Sequence, residues 1–292
     1  MKVLITGSNG QVGHCLVEQA LAKEIDVLAL DRKTLDISDQ ELVMSKVMSF
    51  RPDIIINAAA YTAVDKAEDE DSLAYAINRD GPKYLAQAAA SVDAAILHIS
   101  TDYVFSGDAG GIYQESDSTE PQGVYGASKL AGEVAVAENC KRHIIMRTAW
   151  VFGEHGNNFV KTMLRLGSQR DSLGIVADQF GGPTYAGDIA ATLITVAEKI
   201  VSGEAVEFGV YHYSGLPHVS WFDFASKIFE VACEKGLLET IPKLSPITTD
   251  MYPTPAKRPA NSRLSTSKIE EQFKVRASDW LEALNNLDKY CS

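Results

Sequence analysis

Lys2-Val3-Leu4-Ile5-Thr6-Gly7-Ser8-Asn9-Gly10-Gln11-Val12-Gly13 is an apolar run followed by three glycines spaced three apart, and the helical pattern after it runs to Ala22. A buried strand, a tight glycine turn and a helix in that order form a phosphate cradle. Glycine permits the turn and lets a pyrophosphate approach the backbone, and the helix start offers unpaired N–H groups with the positive end of its dipole. The spacing therefore marks Gly7, Asn9, Gly10, Gln11, Val12 and Gly13 as a dinucleotide cradle.

The same alternation continues outward from this turn. Apolar runs at 2–6, 26–30, 53–57, 94–100 and 143–147 read as strands, with helical patterns at 10–22, 39–50, 73–92 and 125–139 between them. Strands rich in Val, Ile and Leu that alternate with helices predict a doubly wound parallel α/β sheet of Rossmann type. After Trp150 the texture changes, with prolines in Gly181-Gly182-Pro183, Ser245-Pro246, Tyr252-Pro253-Thr254-Pro255 and Arg258-Pro259. Helical patterns persist at 158–169, 188–201, 221–235 and 278–288. The division is a dinucleotide-binding domain at 1–150 and, at 151–292, mainly a smaller substrate-binding lobe with segments returning to the sheet.

Composition narrows the class. A net charge of −12 argues against nucleic acid or an anionic membrane as the main partner. No apolar run is long enough to span a bilayer, and the first residues lack a signal-peptide core, so the expected location is cytoplasmic. Cys15, Cys140, Cys233 and Cys291 lie far apart without a C-x-x-C, which argues against a disulfide framework or a structural zinc. The six histidines form no H-x-x-x-H pair, and no metal ligand is assigned.

Ligands of doubly wound sheets bind beyond the carboxyl ends of the strands, and the chemistry-bearing residues fall there. Asp31 ends the second strand, where a carboxylate binds both ribose hydroxyls of NAD, whereas the adjacent Arg32 would hold the 2′-phosphate of NADP. The two pull in opposite directions, so NADPH and NADH both remain. Asp36 and Ile37 are plausible adenine contacts. Tyr125 and Lys129, four apart, share one helix face, which suits a phenol acid tuned by an ammonium. A lysine and a nicotinamide nearby would lower the phenol from its usual pKa of about 10. Thr101 supplies a hydroxyl where a substrate carbonyl would sit, with Asp102 and Tyr103 next to it.

Longer stretches resemble a known family. Asn57-Ala58-Ala59-Ala60-Tyr61-Thr62-Ala63-Val64-Asp65-Lys66-Ala67-Glu68, Ser100-Thr101-Asp102-Tyr103-Val104-Phe105 and Val124-Tyr125-Gly126-Ala127-Ser128-Lys129-Leu130-Ala131-Gly132-Glu133 are similar to the dTDP-4-dehydrorhamnose reductase family. This family lies within the extended short-chain dehydrogenase/reductase superfamily. So are Arg147-Thr148-Ala149-Trp150-Val151, Gly156-Asn157-Asn158-Phe159, Asp178-Gln179-Phe180-Gly181-Gly182-Pro183-Thr184, Tyr252-Pro253-Thr254-Pro255-Ala256, Arg258-Pro259 and Asn261-Ser262-Arg263-Leu264. The resemblance implies reduction of the 4-keto group of dTDP-4-dehydro-L-rhamnose by NADPH or NADH, with Thr101, Tyr125 and Lys129 as the catalytic trio and Tyr125 as proton donor. Ala58, Ala59 and Ala60 would flank the cofactor together with Tyr125 and Lys129. Thr62, Val64, Thr101, Asp102, Tyr103, Trp150, Asn158 and Arg258 would meet the sugar nucleotide.

The chain also departs from the family. Some members dimerise around a magnesium ion held by acidic side chains, and two of those acids align with Cys15 and Gly187 here. A homodimer is thus compatible with the resemblance, but a metal-bridged one is not expected. Tyr61 stands where relatives often carry His. Two other readings stay open: a reductase of another nucleotide-linked keto sugar, and a cofactor-binding regulatory subunit without turnover.

Overall fold

The computed structural model describes residues 1–291. Six strands form the central sheet: β1 (Lys2–Thr6), β2 (Asp26–Leu30), β3 (Ile54–Asn57), β4 (Ala95–Thr101), β5 (His143–Thr148) and β6 (Gly209–His212). All pair in parallel, in the order β6-β5-β4-β3-β1-β2. The order reverses between β1 and β3, so a crevice opens at the carboxyl ends of these two strands, where such sheets take their ligands.

The apolar runs are continuous because both faces are covered. Side chains alternate across a strand, so Val3, Ile5, Ile54 and Ile56 point to one face while Leu4 and Ile55 point to the other. The first face packs on α1 (Gln11–Ala22) and on the later helix Ala186–Val201, through Leu16, Ile189 and Leu193. The second packs on α2 (Gln40–Phe50), α3 (Gly81–Ser91) and α4 (Val124–Asn139), through Val43, Val47, Leu85 and Val136. Helix Ala186–Val201 and strand β6 thus come from the second half of the chain and complete the sheet domain.

Helix Ser267–Phe273 also joins the sheet-domain core through Ile269 and Phe273, and most other C-terminal segments gather around a separate core of Phe152, Val160, Leu173, Phe224, Ile228, Trp280 and Leu284. Helices α5 (Phe159–Gly167) and α7 (Trp221–Glu234; α6 is Ala186–Val201) frame this core. A short parallel ladder joins Ser172–Val176 to Lys243–Ile247. Ser220 starts α7 with a reciprocal cap: its hydroxyl accepts from Asp223 N, and Asp223 accepts from Ser220 N.

Two helices differ from their sequence pattern, and the one read at 278–288 forms the short strand Ser278–Asp279 and a helix only over Trp280–Leu284. The periodicity predicts a single helix over 73–92, but the chain forms a short helix at Asp71–Tyr75, a π-helical turn at Ala76–Asp80 and then α3. The turn carries the buried Asn78, which accepts a hydrogen bond from Tyr61 N at 2.8 Å and donates to Tyr61 O and to the Ser128 hydroxyl, both at 3.0 Å. A π turn spends an extra residue per hydrogen-bonded ring, and here that extra residue serves the neighbouring loop rather than the helix. The apolar spacing on either side masks it.

Candidate active site

A cavity of about 1060 Å³ opens at the carboxyl ends of the strands and runs into the C-terminal lobe. Gly10, Gln11 and Val12 border it at the start of α1. The turn before them is built as its spacing predicts. Gly7 has φ +66°, and a Cβ there would come within 2.6 Å of Ala59 N. A Cβ on Gly13 would stand 2.0 Å from Gly7 O, so this glycine is needed for the helix to fold back on its own turn. The result is a backbone cradle at a helix N-terminus, which fits a dinucleotide pyrophosphate.

The remaining cofactor candidates divide. Ala58 and Ala60 line the cavity, and the half-buried Ala59 sits against Gly7. Asp31, Arg32 and Asp36 lie outside it, on the surface past β2. The Asp31 carboxylate accepts from Asn9 Nδ2 at 2.8 Å, from the Thr34 hydroxyl at 2.8 Å and from the amides of Lys33 and Thr34. Those bonds, Thr34 first, hold it below the usual carboxylate range. Asp36 is engaged by Ser38 N and the Ser38 hydroxyl in its own turn. Ile37 sends its side chain into the core against Gly81.

The catalytic candidates converge. Thr101 closes β4, and its hydroxyl donates to Asp102 Oδ1 at 3.0 Å while accepting from Tyr103 N. Tyr125, in the first turn of α4, has its phenol beside the Thr101 hydroxyl and meets the Tyr103 ring edge-on at 5.3 Å. Lys129 follows one turn later, 2 % exposed, and donates to Ile99 O at 2.6 Å. Burial lowers the Lys129 ammonium to about 8, opposed by the charge of Glu133. Glu133 in turn is held by Arg147 at 2.6 Å and by the Ser100 hydroxyl.

The Tyr125 phenol departs from the direction read in the sequence. Burial pushes it above its ordinary value, Asp102 and Tyr103 add to the rise, and the opposing influence is the Thr101 hydrogen bond rather than Lys129. The ring keeps part of its surface open to the cavity, yet the cost of desolvating a phenolate there outweighs a lysine one helical turn away. Asp102 is likewise raised to about 6 by burial, against hydroxyl contacts from Ser262 and Thr101.

The cavity's far side is shared between the sheet domain's loops and the second half of the chain. Thr62, Val64, Tyr103, Trp150, Asn158 and Arg258 all line it. Trp150 adopts φ +48°, a conformation that costs a bulky residue energy, and its indole stacks on Trp221 with centroids 3.5 Å apart. Arg258 is pinned by Asp65 at 2.6 Å and donates to the Tyr103 hydroxyl at 3.1 Å, so it clamps the lobe to the sheet domain. Asn158 caps α5 by accepting from Lys161 N, and its amide donates to Gln11 Oε1 at 3.0 Å. That bond ties the lobe to the cofactor helix.

Sequence reasoning missed three residues. Trp221 and Gln179 line the cavity. Asn78 fixes the loop that carries Tyr61 and Thr62. The Ser220–Asp223 cap signal locates Trp221 on a helix start but not against Trp150; only the tertiary fold brings the two indoles together.

Comparison with known proteins agrees with this arrangement. The family model described as the RmlD substrate binding domain matches residues 1–291. A dTDP-4-dehydrorhamnose reductase of Aggregatibacter actinomycetemcomitans is 53 % identical over 99 % of both chains. Among solved structures, a dTDP-4-dehydrorhamnose reductase from Clostridium acetobutylicum superposes with a TM-score of 0.91 at 40 % identity, covering 100 % of this chain and 99 % of that one. The Bacillus anthracis dTDP-4-dehydrorhamnose reductase in complex with NADP gives 0.90 at 39 %, covering 98 % of each. The chain belongs to the dTDP-4-dehydrorhamnose reductase family.

Proposed function

We propose that this chain reduces the 4-keto group of dTDP-4-dehydro-L-rhamnose to give dTDP-L-rhamnose, using NADPH or NADH. One observation carries the reading: Thr101, Tyr125 and Lys129 meet in the same cavity that the glycine cradle borders and the aromatic lobe closes. The reduced nicotinamide, when bound, supplies hydride to the keto carbon.

Each residue then has a task. The glycine turn and the start of α1 hold the pyrophosphate, and Asp31 with Arg32 meets the adenosine ribose. Burial keeps the Tyr125 phenol protonated at neutral pH, the state a proton donor needs, and its hydroxyl delivers that proton to the developing alkoxide. Thr101 orients both the phenol and the substrate oxygen. Lys129 is the nearby positive charge that offsets negative charge as the alkoxide forms. Thr62, Val64, Asp102, Tyr103, Trp150, Asn158 and Arg258 surround the sugar nucleotide, with the guanidinium of Arg258 available to a phosphate.

No helix among the described residues is long and apolar enough to cross a membrane. Cys15, Cys140 and Cys233 are unpaired, which supports a cytoplasmic setting.

The test is loss of reduced-nicotinamide absorbance with dTDP-4-dehydro-L-rhamnose, run with NADPH and NADH in parallel. Turnover by the wild type supports the reaction. Cofactor binding without turnover would transfer the assignment to another keto-sugar nucleotide or to a regulatory role.

A further inference from the structure

A second pocket of about 540 Å³ lies on the other side of α1 from the cradle's rim, lined in part by Cys15, Glu18, Glu154, His155 and Gly187. His14 and Glu18 stand one turn apart on α1, with His14 Nε2 3.5 Å from Glu18 Oε1. His155, on the loop between strand Val151–Phe152 and α5, brings its Nε2 to 3.9 Å from Glu18 Oε2. The two imidazole rings face each other, with centroids 3.6 Å apart and planes inclined by 35°. One donor atom from each of His14, Glu18 and His155 lies within 4.8 Å of the others.

We propose that His14, Glu18 and His155 bind a divalent ion of the zinc class. A tetrahedral zinc with bonds near 2.0–2.1 Å separates its donor atoms by ~3.3 Å, close to the 3.5 and 3.9 Å from the two Nε2 atoms to the Glu18 oxygens, and the stacked imidazoles would swing apart to aim both nitrogens at one ion. Two imidazoles and one carboxylate match a borderline ion and leave a fourth position for water. Charge alone would not attract a hard cation, because Lys161 and Lys289 line the same pocket. The histidines are far apart in sequence, so no ligand spacing marks them; the loop after β5 brings them together. A bound ion would tie α1, which bears the cofactor cradle, to the loop that carries Asn158.

A chelator-stripped sample of the full chain, titrated with zinc against a chromophoric competitor, tests this. One ion per chain is expected, with affinity at least about tenfold weaker in both His155→Ala and Glu18→Gln, since loss of even a ligand's supporting partner has that effect. Zinc should raise the thermal midpoint of the wild type and not of the variants, while both variants still bind NADPH and so are folded. No retained ion, or equal affinity in wild type and variants, overturns the site. Cobalt in place of zinc reads the donors: visible bands without a thiolate charge-transfer band fit His14, Glu18 and His155. A thiolate band would overturn this donor set and move the ion to the neighbouring group Cys15, Glu154 and His155.

Discussion

Asp31 and Asp102 each stand one residue beyond a strand of the same parallel sheet, β2 and β4, and the fold treats them in opposite ways. Asp31 is at the surface, and four hydrogen bonds hold its carboxylate charged. Asp102 is buried and raised to about 6, with one oxygen lacking a protein partner. The surface position past β2 keeps a permanent charge. The closed end penalises negative charge, raising both Asp102 and Tyr125 above their ordinary values. Distance from water, more than residue type, sets the opposite shifts of the two carboxylates here.

The contrast breaks most sharply at Tyr125. Tyr125→Phe removes the hydroxyl proposed to deliver the proton and leaves the surface end untouched. Turnover should fall by roughly a hundredfold or more, while NADPH affinity, measured by fluorescence, stays within a factor of about two. Near-normal turnover would remove Tyr125 from the acid role and with it the chemical meaning of the closed end.

Lys129 sharpens the same point through pH. Its ammonium, lowered to about 8, is charged below that value and neutral above it. The rate should therefore fall on the alkaline side of about pH 8, approaching tenfold per unit, and Lys129→Met should abolish that limb along with most of the activity. A limb that persists in Lys129→Met belongs to another group.

The two ends also differ in how legible they are in the sequence. The cradle is local: strand, Gly7-Ser8-Asn9-Gly10-Gln11-Val12-Gly13 and helix are contiguous, and each glycine has a backbone reason the structure shows. The doubly wound sheet follows from the apolar runs, and Tyr125 with Lys129 follows from one helix face. The stacking of Trp150 on Trp221, the Arg258–Asp65 clamp and the Asn158–Gln11 bond are not legible, because each joins segments far apart in the chain. Asn78 is hidden for another reason. Its π turn sits inside a run with ordinary helical spacing, and a one-residue excess leaves no mark on periodicity. The direction of the Tyr125 shift was illegible too, since a Tyr-x-x-x-Lys spacing reports a neighbour but not the burial that outweighs it.

Asp102 gives a smaller and purely thermodynamic effect. Its folded value of about 6 lies above the unfolded value of about 4, so between those limits the folded chain holds a proton the unfolded chain has released. The group costs nothing below that window. Its cost grows as pH rises through it, reaching ~3 kcal/mol at neutral pH. Asp102→Asn removes this slope. Urea unfolding at pH 4 and pH 7 should show the variant gaining on the wild type by roughly that amount, and a pH-independent difference would mean that Asp102 is solvated in the folded chain.

The least change is expected at the surface end. Asp31→Ala removes a carboxylate that faces water, so unfolding should be nearly unaffected. Asn9 and Thr34 lose a shared acceptor but can bond to solvent instead. Binding is where the loss should appear, and unevenly. An NADH ribose offers two hydroxyls to Asp31, whereas the 2′-phosphate of NADPH would face its negative charge and turn to Arg32. Affinity for NADH should drop severalfold and affinity for NADPH should hold or improve, with the rate of the chemical step unchanged. Equal losses for both cofactors would show that Asp31 shapes the loop after β2 without reading the ribose, and the discrimination would then rest on Arg32 alone.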